Sequence, residues 1–343
     1  MQSKLAGLWL LSAGAGVFGM ITGGSYLRVK KSPISSSGES LSGFKLQTTE
    51  QEWEEKHRTH QLLCESKGIQ PIVNLEEYKL DYNIYISHIA LAQGLGVYIA
   101  VPSLIGLLTR KFGGVFAMKL IGINSLFALG GYISQVLKQD KTKELGIPDS
   151  LVFPAYMGTG VSLYSLLMWT GFFCFRKPQA AFAEELVASA YKGARRRFMG
   201  LTHLSLFTFF AGLLVSSTKA GNVLNNWPWY GKDYFFPESA WDLEPAYKNF
   251  YENRAMIQFV HRTLGTLAYL GVLDLFTYQY GKPLPFSVKF SSFSLLLLMT
   301  AQLIGGIKSL KDGPQPEGTL GHSTNSILML TILYYGLHVL RRR

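Results

Sequence analysis

The sequence carries little charge. Only 16% of its 343 residues are Asp, Glu, Lys or Arg, whereas 48% are hydrophobic. A soluble globular domain contains about 25% charged residues, so this composition excludes an ordinary soluble domain. It is typical of a chain that places most of its helices in lipid.

Cysteine is almost absent. Cys64 lies in a polar segment, and Cys174 lies near the end of an apolar one. The topology predicted below puts these two residues on opposite faces of a membrane. We therefore expect no disulfide, and the spacing matches no cysteine metal motif.

Apolar segments long enough to cross a bilayer occur eight times. About 20 residues of helix span a hydrocarbon core of roughly 30 Å. The segments are residues 5–27, 84–108, 115–137, 153–175, 200–217, 255–276, 288–307 and 320–340. This pattern predicts an all-α integral membrane protein with eight transmembrane helices.

The net charge of +11 follows the membrane topology. Positive residues concentrate in alternate connections, as the positive-inside rule describes, so we predict a membrane protein with no nucleic-acid partner. Both termini then lie on the matrix or cytoplasmic face, and two long loops, 28–83 and 218–254, lie outside. The positive residues of the inner face are Lys4, Arg110, Lys111, Arg176, Lys177, Arg195, Arg196, Arg197, Lys282, Arg341, Arg342 and Arg343.

The chain also repeats itself weakly. The third span carries SLFALGG from Ser125 and the seventh carries TAQLIGG from Thr300, with glycine pairs at matching positions. Paired small residues allow helices to approach closely in lipid. We predict two pseudo-symmetric four-helix bundles, residues 1–180 and 199–343, joined by a basic inside linker at 181–198.

Histidines stand at the outer ends of two spans in the second half. His261 and Arg262 enter the sixth span, and His322 opens the eighth. Ionisable residues inside lipid are costly and usually mark function. Two histidines can ligate a heme iron from both faces, and an arginine suits a heme propionate. The matching positions in the first half are His88 and Tyr156.

Several motifs resemble the heme A synthase family. NFYENRAMIQFVHR from Asn249 is similar to the family signature N-x-x-E-N-x-x-x-x-Q-F-x-H-R, and AGNVLNNWPWYGKDYFFP from Ala220 is similar to its preceding loop. LRVKKSPIS from Leu27, EEYKLDYNIYISHIALAQGLG from Glu76 and LVFPAYMGTGVSLYSLLMWTG from Leu151 resemble the first half of the family. The resemblance covers nearly the whole chain.

The resemblance implies a role in making heme A for cytochrome c oxidase. In the family, the C-terminal histidine pair is thought to hold a heme b that passes electrons. The N-terminal pair holds the substrate, heme O, whose ring methyl is oxidised to a formyl group. Carried over, His261 and His322 are ligands of the heme b iron and Arg262 is a propionate partner.

The same resemblance implies a membrane and a set of partners. It favours the mitochondrial inner membrane with both termini in the matrix, with a bacterial plasma membrane and cytoplasmic termini as the alternative. Heme O synthase, an electron donor linked to a ferredoxin, and respiratory-complex subunits are the implied partners.

The first half departs from the family pattern. His88 matches the first ligand of the N-terminal pair, but other residues replace the family's glutamate, arginine and second histidine; these are Tyr85, Ile89 and Tyr156, respectively. In the third span, Phe127 occupies the position equivalent to Gln302 of the seventh. We therefore expect one heme b, in the second half, and expect Tyr85 and Tyr156 to act mainly in packing. Heme O or heme A beside His88 and Tyr156 stays the alternative.

Three functions follow from these departures. The first is a divergent but active synthase that uses His88 and an unrecognised base. The second is a catalytically inactive paralogue that binds heme b as an accessory subunit or assembly factor of a respiratory complex. A plain di-heme electron carrier is the third, and it would need iron in both halves.

Two further groups of residues have a structural and a functional interpretation. His57 and His60 have the spacing of a metal site, but their polar surroundings favour a solvated amphipathic helix. Trp227, Trp229 and Tyr230 either cover a heme edge or act as ordinary interfacial aromatics. The sequence does not decide between the two roles for these three aromatic residues.

Overall fold

A computed structural model describes most of the chain: residues 4–30, 32–36, 47–138, 142, 144–175, 184–230, 235–313 and 316–341. Some sequence predictions fall outside these ranges. They concern residues 181–183 of the predicted linker and four of the inner-face positive residues, namely Arg176, Lys177, Arg342 and Arg343. The described residues form long helices joined by short turns.

Nine α-helices occur in the described part of the chain. They are α1 (Lys4–Val29), α2 (Glu50–Ser66), α3 (Leu75–Leu108), α4 (Gly114–Lys138), α5 (Asp149–Phe175), α6 (Glu185–Thr218), α7 (Arg254–Tyr278), α8 (Phe286–Asp312) and α9 (Pro316–Val339). Four short 3₁₀ turns accompany them: Pro33–Ser36, Ala220–Asn222, Glu238–Trp241 and Ala246–Phe250. The predicted all-α membrane class is confirmed.

Six helices are long and apolar enough to cross a membrane, namely α1, α3, α4, α5, α6 and α8. The predicted spans of these six lie within them. Helices α7 and α9 have similar lengths but more polar residues, including the site histidines. The total of eight spans therefore stays a prediction that depends on α7 and α9.

The helices pack in the order that the repeat predicts. Helix α1 packs on α3 and α5, and α4 packs on α3 and α5, while α6, α7, α8 and α9 form a second group with the same pattern of neighbours. The groups meet where α1 and α5 touch α9 and where α5 touches α6. One hydrophobic core runs through both groups. The division into two bundles with a boundary near residue 180 stays a prediction.

Close helix approach within the second group depends on a glycine. A Cβ on Gly336 of α9 would lie 2.2 Å from the Phe198 ring of α6, so no larger residue fits there without movement. Between the two groups, the hydroxyls of Tyr164 on α5 and Thr331 on α9 share a hydrogen bond. Small residues and interhelical hydrogen bonds are the usual means of holding helices together in lipid.

The predicted linker is not a separate element where it is described. Helix α6 begins at Glu185 and continues to Thr218 without a break. Its charged first half and its apolar second half therefore form one rod of 34 residues. The basic side chains of the linker thus have a fixed position relative to the predicted fifth span.

The polar helix of the first outside loop, α2, is folded against α3. Thr49 caps it and forms a capping box with Glu52. The helix is amphipathic, as predicted, but the prediction that its histidines are solvated was wrong. His57 and His60 are 8% and 4% exposed, because both rings pack on Tyr78 at the start of α3.

Candidate heme site

The signature segment before His261 builds a scaffold. Asn253 caps α7 by accepting hydrogen bonds from the amides of Ala255 and Met256. Its Nδ2 donates to Oδ1 of Asn249 at 2.9 Å. Asn249 is fully buried and bonds both main-chain groups of Leu243. These two asparagines therefore fix the direction in which α7 leaves the outer loop.

Gln258 and Arg262 attach the preceding loop to α7. Gln258 donates to the carbonyls of Ala220 and Val223 at 2.9 and 2.7 Å. Arg262, one turn later, donates through Nη1 to the carbonyl of Asn226 at 2.9 Å. It also donates through Nη2 to the carbonyl of Leu224. The loop at 220–229 is thus held over the start of α7.

Arg262 is partly buried and has no carboxylate partner among the described residues. Its guanidinium carbon lies 4.6 Å from the centre of the Tyr230 ring, and its Nε donates to Gln258. A guanidinium has five N–H donors, and neutral carbonyls do not balance its charge. The predicted role in binding a propionate stays a prediction, and the surroundings of Arg262 suit an anion.

His261 is oriented by α6. Its Nδ1 donates to the carbonyl oxygen of Thr208 at 3.1 Å. A Cβ on Gly212, one turn further along α6, would lie 3.0 Å from Cε1 of the imidazole. The Cε1 edge of the ring therefore lies close to a stretch of helix that has no side chain at Gly212. The bond at Nδ1 leaves Nε2 available for a metal, which is the usual arrangement of a metal-binding histidine.

His322 is supported by a polar network between α8 and α9. Gln302 donates through Nε2 to the carbonyl of His322 at 3.1 Å and to Oγ of Ser326 at 2.7 Å, and its Oε1 accepts from Asn325 at 2.7 Å. A Cβ on Gly306 would lie 3.4 Å from Cε1 of the ring. Nδ1 of His322 is buried and has no hydrogen-bond partner among the described residues.

The structure brings His261 and His322 together. Their ring centres are 6.4 Å apart, with an angle of 66° between the ring planes. A metal–imidazole bond is about 2 Å long and the bonded nitrogen lies about 1 Å from its ring centre, so two imidazoles on one iron have centres roughly 6 Å apart. The pair therefore fits bis-histidine ligation of a heme.

In the first half, His88 faces a glycine as His261 does. A Cβ on Gly24 of α1 would lie 3.1 Å from Cε1 of His88. Nδ1 of His88 is buried and has no hydrogen-bond partner among the described residues, whereas Nδ1 of His261 bonds to Thr208. This half of the repeat has kept the glycine beside its histidine but not the bond that orients the ring.

The facing side of the first half is different. Tyr156 is partly buried and packs against the main core, and among the described residues it makes no ring contact with His88. Tyr85 packs against the aromatic and aliphatic cluster beneath α2. Phe127 is an apolar residue where α8 has Gln302, so the network that supports His322 has no counterpart here. Tyr156, Tyr85 and Phe127 thus all take up apolar packing positions.

Trp229 of the second outside loop lies beside Arg262 and is largely open to solvent. Trp229 is 47% exposed, and its carbonyl accepts a hydrogen bond of 3.5 Å from Arg262. Tyr230, by contrast, is 6% exposed and packs against Phe259. The residue that shields this side of α7 is therefore Tyr230.

A comparison with protein families decides the relationship. The model of the COX15-CtaA family, described as a cytochrome oxidase assembly protein, matches residues 7–334. The chain belongs to the COX15-CtaA family. The resemblance to heme A synthases that the motifs predicted is confirmed.

Individual relatives of this COX15-CtaA protein carry the name heme A synthase. A relative from Mus musculus is 28% identical over 99% of this chain and 83% of its own length. One from Nitrosospira multiformis is 25% identical over 100% of this chain and 95% of its own length. One from Schizosaccharomyces pombe, named a fusion of heme A synthase with mitochondrial ferredoxin, is 24% identical over 96% of this chain and 59% of its own length.

Sequence reasoning missed the residues behind the histidines of this COX15-CtaA protein. Gly212 and Gly24 lie on helices distant in sequence from the rings they face, and a carbonyl such as that of Thr208 has no sequence signal. Only Asn325 could have been identified from the sequence, because an amide in the eighth span needs a hydrogen-bond partner inside lipid. It lies three residues after His322, and this spacing indicates that the two residues belong to the same site.

Proposed function

We propose that this chain binds one heme b through His261 and His322 and acts in the making of heme A for cytochrome oxidase. The observation that carries the proposal is the ring-centre distance of 6.4 Å between two histidines on different helices. The bond of His261 to Thr208 and the glycines beside both rings support it. When bound, the heme supplies a one-electron carrier near the outer ends of α7 and α9.

The protein groups around the pair have distinct tasks in this proposal. Thr208 holds His261 in one tautomer, because its carbonyl accepts the proton of Nδ1. Gln302 fixes the stretch of α9 from His322 to Ser326 and so the direction of His322. Arg262 provides the positive charge for a propionate, since no described carboxylate pairs with it. The loop at 220–229 excludes water from this side.

The test is a reduced-minus-oxidised spectrum with extraction of the heme from purified protein. We expect one b-type heme per chain, lost in His261→Ala and in His322→Ala. His88→Ala should keep it, and so should His203→Ala, because His203 is exposed and bonds only its own helix. Retention of the full spectrum in both His261→Ala and His322→Ala would disprove the assignment.

A second candidate function is an inactive paralogue that keeps heme b as an assembly factor. Tyr156 and Phe127 favour it, because they remove the facing ligand and its support. The glycine that faces His88, Gly24, favours the active synthase. Supplying heme O and a reduced ferredoxin to the purified protein distinguishes the two: heme A formed by wild type and lost in His88→Ala supports activity, whereas none from wild type supports the paralogue.

The membrane and the partners belong to the same proposal. We favour the mitochondrial inner membrane with both termini in the matrix, and a bacterial plasma membrane is the alternative. An electron donor of the ferredoxin type fits a relative whose printed name joins these two proteins. Heme O synthase and respiratory-complex subunits are the further partners. Protease protection of terminal tags in sealed vesicles tests the orientation.

A further inference from the structure

The end of the molecule opposite the histidine pair contains a basic cavity. The cavity has a volume of about 630 Å³ and lies between the first turns of α6 and the end of α9. Its charged lining residues are Lys192, Arg195, Arg196 and Glu185. Three cations therefore face one carboxylate, and the cavity carries an excess of positive charge.

The cations of the cavity differ from their neighbour Arg197. Arg197 forms an ion pair with Asp274 at 2.8 Å. Lys192, Arg195 and Arg196 form no ion pair with any described residue. Their charge is thus free to act on a ligand, whereas that of Arg197 is already balanced.

The positive field continues from the cavity into the join between the two halves. Nζ of Lys119 and the guanidinium carbon of Arg341 lie 3.9 and 4.0 Å from the centre of the same Phe173 ring. Both cations therefore add to the positive charge at this end of the molecule. The charges of Lys119, Arg195 and Arg341 also act on His338.

His338 adds an unpaired polar group to this region. It is 2% exposed, and its Nδ1 donates to the carbonyl of Tyr334 at 2.8 Å. Its Nε2 is buried and has no hydrogen-bond partner among the described residues. Buried polar atoms without a partner are rare and call for an explanation.

From this arrangement we propose a phosphate-binding site in the cavity, occupied by the headgroup of an anionic phospholipid from the inner leaflet. Arg195 and Arg196 supply the fork-shaped donors that suit phosphate oxygens, and Lys192 supplies a point charge. Basic pockets between helices on the matrix or cytoplasmic side suit such headgroups. The site fastens the start of α6 to the end of α9.

The experiment measures thermal unfolding of the purified protein in detergent as lipid is added. Phosphatidylglycerol should raise the midpoint in a saturable way, and phosphatidylcholine should not, since a ligand that binds only the folded state stabilises it by mass action. In Arg195→Gln with Arg196→Gln, the apparent affinity for phosphatidylglycerol should fall about tenfold or more. The Arg195→Lys with Arg196→Lys pair should recover only part of it, because an ammonium keeps the charge but not the fork of donors. The spectrum of any heme bound at the other end checks the fold.

The matched control changes two exposed cations of the same end that do not line the cavity, in Arg110→Gln with Lys111→Gln. It should bind phosphatidylglycerol as wild type does. Equal affinity in wild type and in the Arg195/Arg196 glutamine variant, or an equal loss in the control, would overturn the proposal. The second part of the experiment adds inorganic phosphate instead of lipid. If phosphate raises the unfolding midpoint in a saturable way and the glutamine variant loses this effect, the ligand of the site is free phosphate.

Discussion

Replacing Gly212 by alanine tests the histidine pair at its most sensitive point. The added Cβ would lie 3.0 Å from Cε1 of His261 and 3.5 Å from its Nδ1. Carbon atoms in good contact are about 3.5–4.0 Å apart, so the ring must move by roughly half an ångström or more. The bond from Nδ1 to Thr208 is already 3.1 Å long. Because hydrogen bonds beyond about 3.2 Å weaken, this movement breaks it.

The expected size of the effect follows from the lost bond. Removing the partner of a metal-binding histidine lowers metal affinity about 10- to 100-fold, or about 1.4–2.8 kcal/mol. We expect Gly212→Ala to lose heme to an excess of apomyoglobin correspondingly faster than wild type. Alanine is also the better helix former by about 1 kcal/mol, so a loss cannot come from weakening of α6.

Gly200→Ala is the matched control, because Gly200 lies on the same helix with nothing within 4 Å of its added Cβ. Its heme should be held as in wild type. Gly24→Ala applies the same test to His88, where the added Cβ would lie 3.1 Å from Cε1. It should leave the heme b of the second half in place. If the Gly212 and Gly200 variants held heme equally tightly, Gly212 would not be needed to make room for the His261 ring.

The remaining predictions concern polar contacts. Asp81 is a fully buried carboxylate that lies 2.8 Å from Nζ of Lys30. Asp81→Asn removes its charge and should lower the free energy of unfolding by about 2 kcal/mol, measured by thermal melts. An unchanged melting temperature would contradict this. Burial lowers the pKa of Lys30, but its bonds to Asp81 and a neighbouring glutamate raise it above its usual value, so this contribution is complete at neutral pH and is lost only in strongly alkaline solution. Arg262→Gln should keep the heme b band but release heme faster, and a release rate equal to wild type would exclude a propionate contact. Gln302→Leu should broaden or shift the spectrum through His322, with the heme content measured in parallel.

The apolar segments predicted the helices well because length and hydropathy act locally. They placed six spans on helices that are long and apolar enough to cross a membrane. They failed for the surroundings of His57 and His60, since the polar sequence around them gives no sign that Tyr78 covers both rings. The continuity of α6 from Glu185 into the predicted fifth span was also missed, because a run of charged residues is typical of a loop between two helices.

Of the residues that form the site, the sequence predicted only the two histidine ligands. His261 and His322 stand out because such residues are costly in lipid. Their supports do not, because Gly212 lies 49 residues before the ring it faces and acts through the absence of a side chain. The loop contacts of Arg262 could not be predicted either, since they are made to main-chain carbonyls. The glycine beside His261 and the loop contacts of Arg262 both depend on how distant parts of the chain pack together.

The polarity of α7 and α9 has a consequence for how the protein is made. Each of these helices carries one histidine of the pair, and neither is apolar enough alone to match the other six. Partitioning into lipid depends on the summed hydropathy of a segment, so the predicted sixth and eighth spans need α6 and α8 beside them to enter the bilayer. A ribosome-bound chain that stops before His322 lacks one histidine of the pair and also the last predicted span. The histidine pair and the predicted membrane topology are therefore completed by the same last helix.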